Sequence, residues 1–267
     1  MMKYYYREHL AGYKLVQSEG KDAWHSIHSG KDFDDFPTLA FLEAALPRLH
    51  FSVSRPAVLE IGCGTGPAAC YLARRGFDVD GIDIVPVAIE MARKLALERS
   101  LDVHYEVRDI CELPHAGKPY DMILDSFCLQ AIVLDEDRTA VFSNVRARLK
   151  RDGYYLISTA MFDEKRYRRD DVIVDDATGT VYNRYGETGL IEARSGVVYI
   201  ELGQTPEDYE GVVRIRDTWY LPNRRHLKAP ALRKELETAG FRVTYQGGQY
   251  GENMICVPEE VTTGPAA

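Results

Sequence analysis

A glycine-rich turn with the sequence EIGCGTG, at residues 60–66, carries the clearest chemical signal in this chain. It lies between an apolar stretch at residues 57–59 and a helix-like segment at residues 67–75. Because glycine has no Cβ and adopts positive φ angles without strain, a bound nucleoside can approach the backbone of such a turn closely. The dinucleotide fingerprint G-x-G-x-x-G requires its third glycine where this chain has Pro67, which disfavours NAD as the ligand.

Acidic residues end or follow four of the strand-like segments. They are Glu60, Asp83, Asp109 and Asp125. Parallel strands bring their carboxyl ends to one edge of a sheet, and ligands bind beyond that edge where the strand order reverses. Asp83 follows the glycine turn by roughly twenty residues, the spacing of a carboxylate that accepts ribose hydroxyls. A single acid at such a position is usually a helix cap or a loop hydrogen bonder. Four acids in this order along one edge of a sheet, by contrast, predict a nucleoside-binding site.

Strand-like and helix-like segments alternate over much of the chain, which is typical of a parallel sheet with right-handed crossovers. The apolar patterns predict strands at residues 56–61, 77–82, 103–107, 120–124 and 154–159, and closing strands at 241–245 and 254–257. They predict helices at residues 36–49, 67–75, 86–99, 136–149 and 228–239.

The alternation stops after residue 160, where short strand-like runs are separated by turn residues. The runs at 172–174, 196–202 and 212–220 predict an antiparallel insertion laid over the core. We therefore expect four parts of the chain: an N-terminal segment at 1–35, a core at 36–160 and 227–258, the insertion at 161–226, and a disordered tail at 259–267.

The glycine turn and the ordered acids resemble those of the class I methyltransferases, which use S-adenosyl-L-methionine (SAM) and release S-adenosyl-L-homocysteine (SAH). The resemblance covers about residues 56–160 and 227–257. It implies an α/β fold with a Rossmann-like, doubly wound, seven-stranded sheet that is mostly parallel, its last strand antiparallel. The antiparallel β insertion would cover the substrate site, and the N-terminal segment would form a helical lid.

The same resemblance implies which residues bind the cofactor: Glu60, Gly62, Cys63, Gly64, Gly66, Asp83, Ile84, Asp109, Ile110, Asp125 and Ser126. In the family, an acid at the position of Glu60 orients the turn and lies near the amino group of the cofactor. An acid at the position of Asp109 accepts from the adenine amino group, with Ile84 and Ile110 flanking the ring. Asp125, with the serine that follows it, would lie beside the methionine portion and the reactive sulfonium.

Residues 125–130, DSFCLQ, look like the motif that follows this strand in small-molecule methyltransferases. Many relatives carry histidine where this chain has Gln130, so any role for histidine there is absent. The Asn-Pro-Pro-Tyr motif of enzymes that methylate nucleobase amines is absent as well. The resemblance thus implies in-line transfer of a methyl group to an O, N, S or C atom of a small molecule. Two alternatives stay open: another SAM-derived reaction on the same fold, or a non-catalytic module that binds SAM or SAH.

A general base is needed where the acceptor must lose a proton, as oxygen and carbon acceptors usually do. The preferred candidates are His28, His226 and Tyr185, with His25 and Tyr182 as further candidates. Each one alone is more simply a surface or packing residue. Arg224 and Arg225 lie where the insertion rejoins the core, and they would either receive an acidic substrate or form a solvated basic turn.

Charge, cysteine spacing and apolar runs limit the kinds of partner and of cellular location that we expect for this chain. A net charge of -8 argues against a nucleic-acid surface. Five scattered cysteines without a C-x-x-C pair indicate reduced thiols and no metal site. The first residues lack the apolar region of a signal peptide, and no apolar run is long enough to span a bilayer. We expect a cytoplasmic, soluble enzyme, monomeric or homodimeric, whose partner is a small-molecule substrate.

Overall fold

The computed structural model describes residues 2–114, 117–187, 189–203 and 209–259, except for the side chains of His28 and Arg169. The expected disordered tail, apart from Glu259, lies outside the described residues. Among the helices of the described ranges, none combines the length and the apolar character needed to cross a membrane.

The strands form two sheets. In chain order they are β1 Ala57–Ile61, β2 Asp78–Asp83, β3 Val103–Val107, β4 Tyr120–Ser126, β5 Leu149–Ser158, β6 Tyr167–Val174, β7 Val181–Tyr185, β8 Gly189–Glu192, β9 Val197–Leu202, β10 Val213–Ile215, β11 Thr218–Arg225, β12 Phe241–Gly247 and β13 Asn253–Pro258. The core sheet has seven strands in the order β12-β13-β5-β4-β1-β2-β3. Strands β1 to β5 pair in parallel, and β13 is antiparallel to both of its neighbours. This confirms the predicted fold and places the reversal of strand order between β1 and β4.

The helices connect the strands of the core sheet and form much of the N-terminal segment. They are α1 Tyr6–Ser18, α2 Trp24–Ser29, α3 Leu39–Ala45, α4 Pro67–Arg74, α5 Pro86–Glu98, α6 Asp135–Arg148 and α7 Ala229–Thr238. Helices α4 and α5 begin at prolines, where the missing N–H would have no partner inside the helix. The helix expected at 36–49 is shorter than predicted. It consists of α3 and a 3₁₀ turn at Leu46–Arg48, because Pro47 has no N–H to continue the α-helix.

The second sheet is the insertion, a six-stranded sheet in the order β10-β11-β9-β8-β7-β6 in which every pair is antiparallel. The antiparallel insertion is therefore confirmed. The single run expected at 212–220 is a hairpin of β10 and β11 instead. It turns at Arg216, whose φ of 54° lies in the left-handed region and ends the extended backbone there.

The two faces of the core sheet pack in separate hydrophobic clusters, because side chains alternate along each strand. On β4, Ile123 belongs to one cluster and Met122 to the other. The cluster of Ile123 continues to Tyr4 near the N-terminus and to Tyr199 and Leu221 of the insertion. The N-terminal segment and the insertion thus share one apolar core with the sheet, and this fixes both of them over its carboxyl edge.

Candidate cofactor and active site

A cavity of about 530 Å³ opens at the carboxyl edge of the core sheet. Its floor is formed by lining residues between positions 60 and 132, and its roof by lining residues between positions 5 and 37 together with Arg224. Its volume lies in the range of small-molecule sites, roughly 300–1,000 Å³. Most of the residues expected to bind the cofactor line this cavity: Glu60, Gly62, Cys63, Gly64, Asp83, Ile84, Asp109, Ile110 and Ser126. Two of the expected residues, Gly66 and Asp125, do not.

The glycine turn has no room for side chains. A Cβ at Gly62 would lie 2.6 Å from the Cβ of Cys128, and one at Gly64 would lie 2.3 Å from the hydroxyl of Tyr13. Both glycines have positive φ angles, 62° and 55°. Gly66 serves a different purpose, since it caps α4, and a Cβ there would meet the hydroxyl of Tyr105 at 2.1 Å. Only the first two glycines therefore shape the cavity.

Asp83 ties the second strand to the glycine turn. Its Oδ2 accepts the backbone N–H of Gly64 at 2.9 Å, and its Oδ1 accepts that of Val85 at 2.9 Å. Burial raises the pKa of this carboxyl group, while the hydrogen bonds from the N–H groups of Val85 and Gly64 oppose that shift. Each carboxylate oxygen has a second lone pair, so Asp83 can hold the turn and still accept from ligand hydroxyls.

Glu60 is a buried acid with an unused oxygen. Only 2% of the residue is exposed, and its Oε2 has no hydrogen-bond partner among the described residues. Burial raises the pKa of Glu60 to about 8, and the charges of Asp83 and Asp125 act in the same direction. A buried polar atom without a partner in a cavity wall is a position where a ligand would supply the missing hydrogen bond.

Asp109 contacts the roof as well as its own turn. Its Oδ1 accepts the backbone N–H of Cys111 at 2.9 Å, and its Oδ2 accepts the hydroxyl of Tyr5 at 2.6 Å. Ile84 and Ile110 line the same cavity. The expected adenine position is therefore bounded by this acid, two isoleucines and a tyrosine of the N-terminal segment. The tyrosine was not anticipated from the sequence.

Asp125 lies below the cavity floor rather than on it. It is fully buried and accepts the backbone N–H groups of Cys128 and Leu129, the former at 2.8 Å. Burial raises its pKa to about 7. These bonds hold the next turn, in which Phe127 has a φ of 65° and donates its N–H to the carbonyl of Ser158 at 2.8 Å. The structure thus separates Asp125 from the cavity, because strand β4 runs on to Ser126 and presents that residue instead.

Two of the three preferred base candidates, Tyr185 and His226, lie away from this cavity. The Nδ1 of His226 lies 3.0 Å from the hydroxyl of Tyr185, both residues are buried, and neither lines the cavity. His226 lines a second cavity of about 660 Å³ beside the insertion, and burial lowers its pKa to about 4. The side chain of His28 is outside the described part of the structure. Tyr182 packs edge-on against Tyr199 inside the insertion, at 5.8 Å between ring centroids.

Two histidines of the N-terminal segment do line the cavity: His25, a further candidate from the sequence, and His9, which was missed. The Nδ1 of His9 contacts the carbonyl oxygen of Tyr5. Since a carbonyl only accepts, Nδ1 carries the proton, and in the neutral ring Nε2 keeps its lone pair. Burial lowers the pKa of His9, and the charge of Arg224 adds to that. The imidazole is therefore neutral near pH 7.

The signal for His9 is present in the sequence as a four-residue spacing. Tyr5, His9 and Tyr13 recur at intervals of four and so share one face of α1. The N-terminal segment lacks the aliphatic periodicity that normally indicates a helix, so this spacing alone does not predict one.

The two arginines before His226 are already paired. Arg224 donates to both carboxylate oxygens of Glu8, each at 3.0 Å, and so joins β11 to α1. Arg225 donates to Asp135 and to the carbonyl of Val133. The positive charge of Arg224 at the cavity is thus balanced by Glu8. The described residues contain no group of three or more His, Cys, Asp or Glu side chains that could hold a metal ion.

Comparison with known proteins bears on this site. Residues 58–153 match the family model described as a methyltransferase domain. The chain is 31% identical over 140 residues to the ubiquinone biosynthesis O-methyltransferase of Rickettsia conorii, which is 52% of this chain and 47% of that protein. It is 34% identical over 109 residues to the enzyme of the same name from Xylella fastidiosa, which is 40% of this chain and 43% of that protein. The chain therefore spans about half the length of the curated relatives it matches.

Solved structures share the fold. A SAM-dependent methyltransferase from Clostridium acetobutylicum has a TM-score of 0.58 at 14% identity, over 88% of this chain and 95% of that chain. The 1,6-didemethyltoxoflavin-N1-methyltransferase of Burkholderia thailandensis, solved with bound 1,6-didemethyltoxoflavin and SAH, has a TM-score of 0.54 at 17% identity, over 94% of this chain and 87% of that chain. These likenesses show the fold, and the family match at residues 58–153 agrees with the resemblance stated from the glycine turn and the ordered acids.

Proposed function

We propose that this chain, which contains a class I SAM-dependent methyltransferase domain, is an enzyme that transfers the methyl group of SAM to a small-molecule acceptor. One observation carries the proposal. Three acids that end or follow β1, β2 and β3 surround a single cavity with a side-chain-free glycine turn at its floor. This cavity lies where the strand order reverses, which is the ligand position of open α/β sheets.

The residues of the floor fit the cofactor. Asp83 retains lone pairs for ribose hydroxyls, and the unpartnered Oε2 of Glu60 suits an amino group. Asp109, whose oxygens already accept from Cys111 and Tyr5, keeps a lone pair for the adenine amino group. When bound, SAM supplies a methyl group that is already activated on its sulfonium, so the protein chiefly contributes orientation and water exclusion.

The roof supplies enclosure and, we propose, a general base. Helices α1 and α2 lie over the cavity and keep water from the reacting groups. His9 has its tautomer fixed by the carbonyl of Tyr5, so Nε2 is the nitrogen able to take a proton from the acceptor. A base suits an oxygen acceptor, in agreement with the O-methyltransferase names of the curated relatives. Because Glu8 balances Arg224, the site favours a neutral acceptor over an acidic one.

Calorimetric titration with SAM, SAH and NAD tests the proposed cofactor, after removal of any ligand that co-purifies. We expect SAM and SAH to bind in the micromolar range and NAD not to bind. Folded, ligand-free protein that binds neither SAM nor SAH would contradict the proposal. An acceptor screen with labelled SAM then tests the base. We expect His9→Gln to lower kcat by about 10²–10⁴-fold with SAH affinity nearly unchanged. The matched control is His50→Gln, which alters an exposed histidine outside the cavity lining and should leave kcat unchanged.

A further inference from the structure

Helix α1 carries a row of three ring side chains along the cavity roof. Tyr5 lies at its N-terminal end, and His9 and Tyr13 follow at intervals of four residues, so all three face the cavity. Tyr5 lies at one end of the floor, where it donates to Asp109. Tyr13 lies at the other end, where its hydroxyl is 2.3 Å from the position a Cβ would take on Gly64. The row therefore spans the floor from the third strand to the glycine turn.

Tyr13 is a largely buried residue whose hydroxyl lies at the cavity beside Gly64. Only 8% of the residue is exposed, and within the described parts of the chain its hydroxyl forms no hydrogen bond. The ring is held in place by Val16, Val85 and Ala88, and Trp24 packs edge-on against it at 5.1 Å between centroids. A donor that is fixed by its packing, opens onto the cavity and has no partner in the protein points to a ligand atom there.

The charge around Tyr13 selects the kind of ligand atom. Burial raises the pKa of Tyr13 well above its usual value, and the nearby charge of Asp83 acts in the same direction. The hydroxyl thus stays protonated and can donate. A carboxylate in this place would face the like charge of Asp83. A hydroxyl group is favoured instead, because it accepts from Tyr13 and donates to Asp83 at the same time.

We propose that Tyr13 is a cofactor-binding residue whose phenol donates a hydrogen bond to a ribose hydroxyl that in turn donates to Asp83. This inference rests on the proposed function. It makes α1 part of the nucleoside site and not only a cover that excludes water. The Glu8–Arg224 pair on the same helix then connects ribose binding to the position of the insertion.

Removal of the single hydroxyl tests the inference. Tyr13→Phe keeps the ring and its apolar neighbours, and Tyr6→Phe is the matched control, a tyrosine of the same helix that does not line the cavity. The probes are SAH, by calorimetry, and 5′-methylthioadenosine, by competition with SAH. The second probe keeps the ribose and lacks the amino-acid portion. We expect Tyr13→Phe to weaken both ligands by the same factor, about 3- to 10-fold, and Tyr6→Phe to change neither.

Each other outcome has a definite meaning. Weaker binding of SAH alone would place the Tyr13 hydroxyl at the amino-acid end of the cofactor and overturn the ribose assignment. Unchanged or tighter binding of both ligands by a folded Tyr13→Phe protein, checked by circular dichroism, would overturn any cofactor contact. If the unaltered protein itself does not bind SAH, the proposed function fails instead, and the result is distinguishable from a failure at Tyr13.

Discussion

The floor and the roof of the cavity are built in different ways. Floor acids accept from backbone N–H groups within the core: Asp109 from Cys111, two residues away, and Asp83 from Gly64, 19 residues away. Roof contacts join distant segments: Tyr5 and Asp109 are 104 residues apart, and the members of the Glu8–Arg224 pair are 216 apart. The floor is therefore held ready by local hydrogen bonds, whereas the roof depends on the assembly of the whole chain. This difference suits a floor that binds a common cofactor and a roof that determines which acceptor enters.

Substitution of Asp83 should cause the largest loss of SAH affinity, because this residue has two roles in the cavity floor. It positions Gly64 through its backbone N–H and, on our proposal, accepts from the ribose. We expect Asp83→Asn to weaken SAH binding by about 100-fold or more, since each hydrogen bond to a charged group contributes about 1.5–3 kcal/mol. Calorimetry measures this loss. Asp78→Asn, on the same strand but paired with exposed Lys118, is the control. Binding of SAH by Asp83→Asn within threefold of the original protein would refute the floor assignment.

Gly64→Ala tests where the floor and the roof meet. The added methyl would lie 2.3 Å from the Tyr13 hydroxyl, so we expect SAH affinity to fall by about 10-fold or more, from clash and backbone strain together. Gly179→Ala is a matched control, because Gly179 has a similar φ of 71° with no atom within 4 Å. The Gly179→Ala variant should lose some folding stability and keep its affinity for SAH. Combining Gly64→Ala with Tyr13→Phe should recover part of the affinity. If the losses in SAH binding free energy of the two single variants simply add in the double variant, the result would argue against contact between the two residues.

The Glu8–Arg224 pair should show a smaller effect that is confined to the roof. The two side chains are 36% and 16% exposed, so water screens the pair only in part. We expect Glu8→Gln to accelerate amide hydrogen exchange in α1 by about 5-fold, which corresponds to about 1 kcal/mol, and to leave the exchange of β1 and β4 unchanged. Asp217→Asn, which breaks the exposed pair with Arg214, should leave α1 unaffected. Faster exchange throughout the protein would mean that the roof is not a separate unit.

The difference between the floor and the roof also explains which parts of the fold and of the site could be predicted from the sequence. The core strands, the glycine turn, Asp83 and Asp109 were predictable, because their signals lie in short apolar runs and in spacing along the chain. Asp125 was placed at the cavity by its order in the sequence, but its side chain bonds the backbone of the following turn. The preferred base candidates were chosen by residue type in segments without periodicity. Whether His226 or His9 reaches the cavity depends on contacts between distant segments, which no local pattern encodes.

Glu60 should give the smallest effect, a change in how stability varies with pH. Its folded pKa of about 8 exceeds the ordinary value of 4.5, so the folded protein holds an extra proton between these values. Folding stability contributed by this group therefore falls as pH rises from about 4.5 to about 8, and it is constant above that range. We expect Glu60→Gln to flatten the decline in the free energy of unfolding between these pH values, measured with urea, while Glu90→Gln, at an exposed position of α5, keeps the original slope. Identical slopes for all three proteins would mean that Glu60 is already ionised in the folded state. The floor would then hold a buried charge without a ligand, whereas the raised pKa of Glu60 predicts a neutral side chain there below about pH 8.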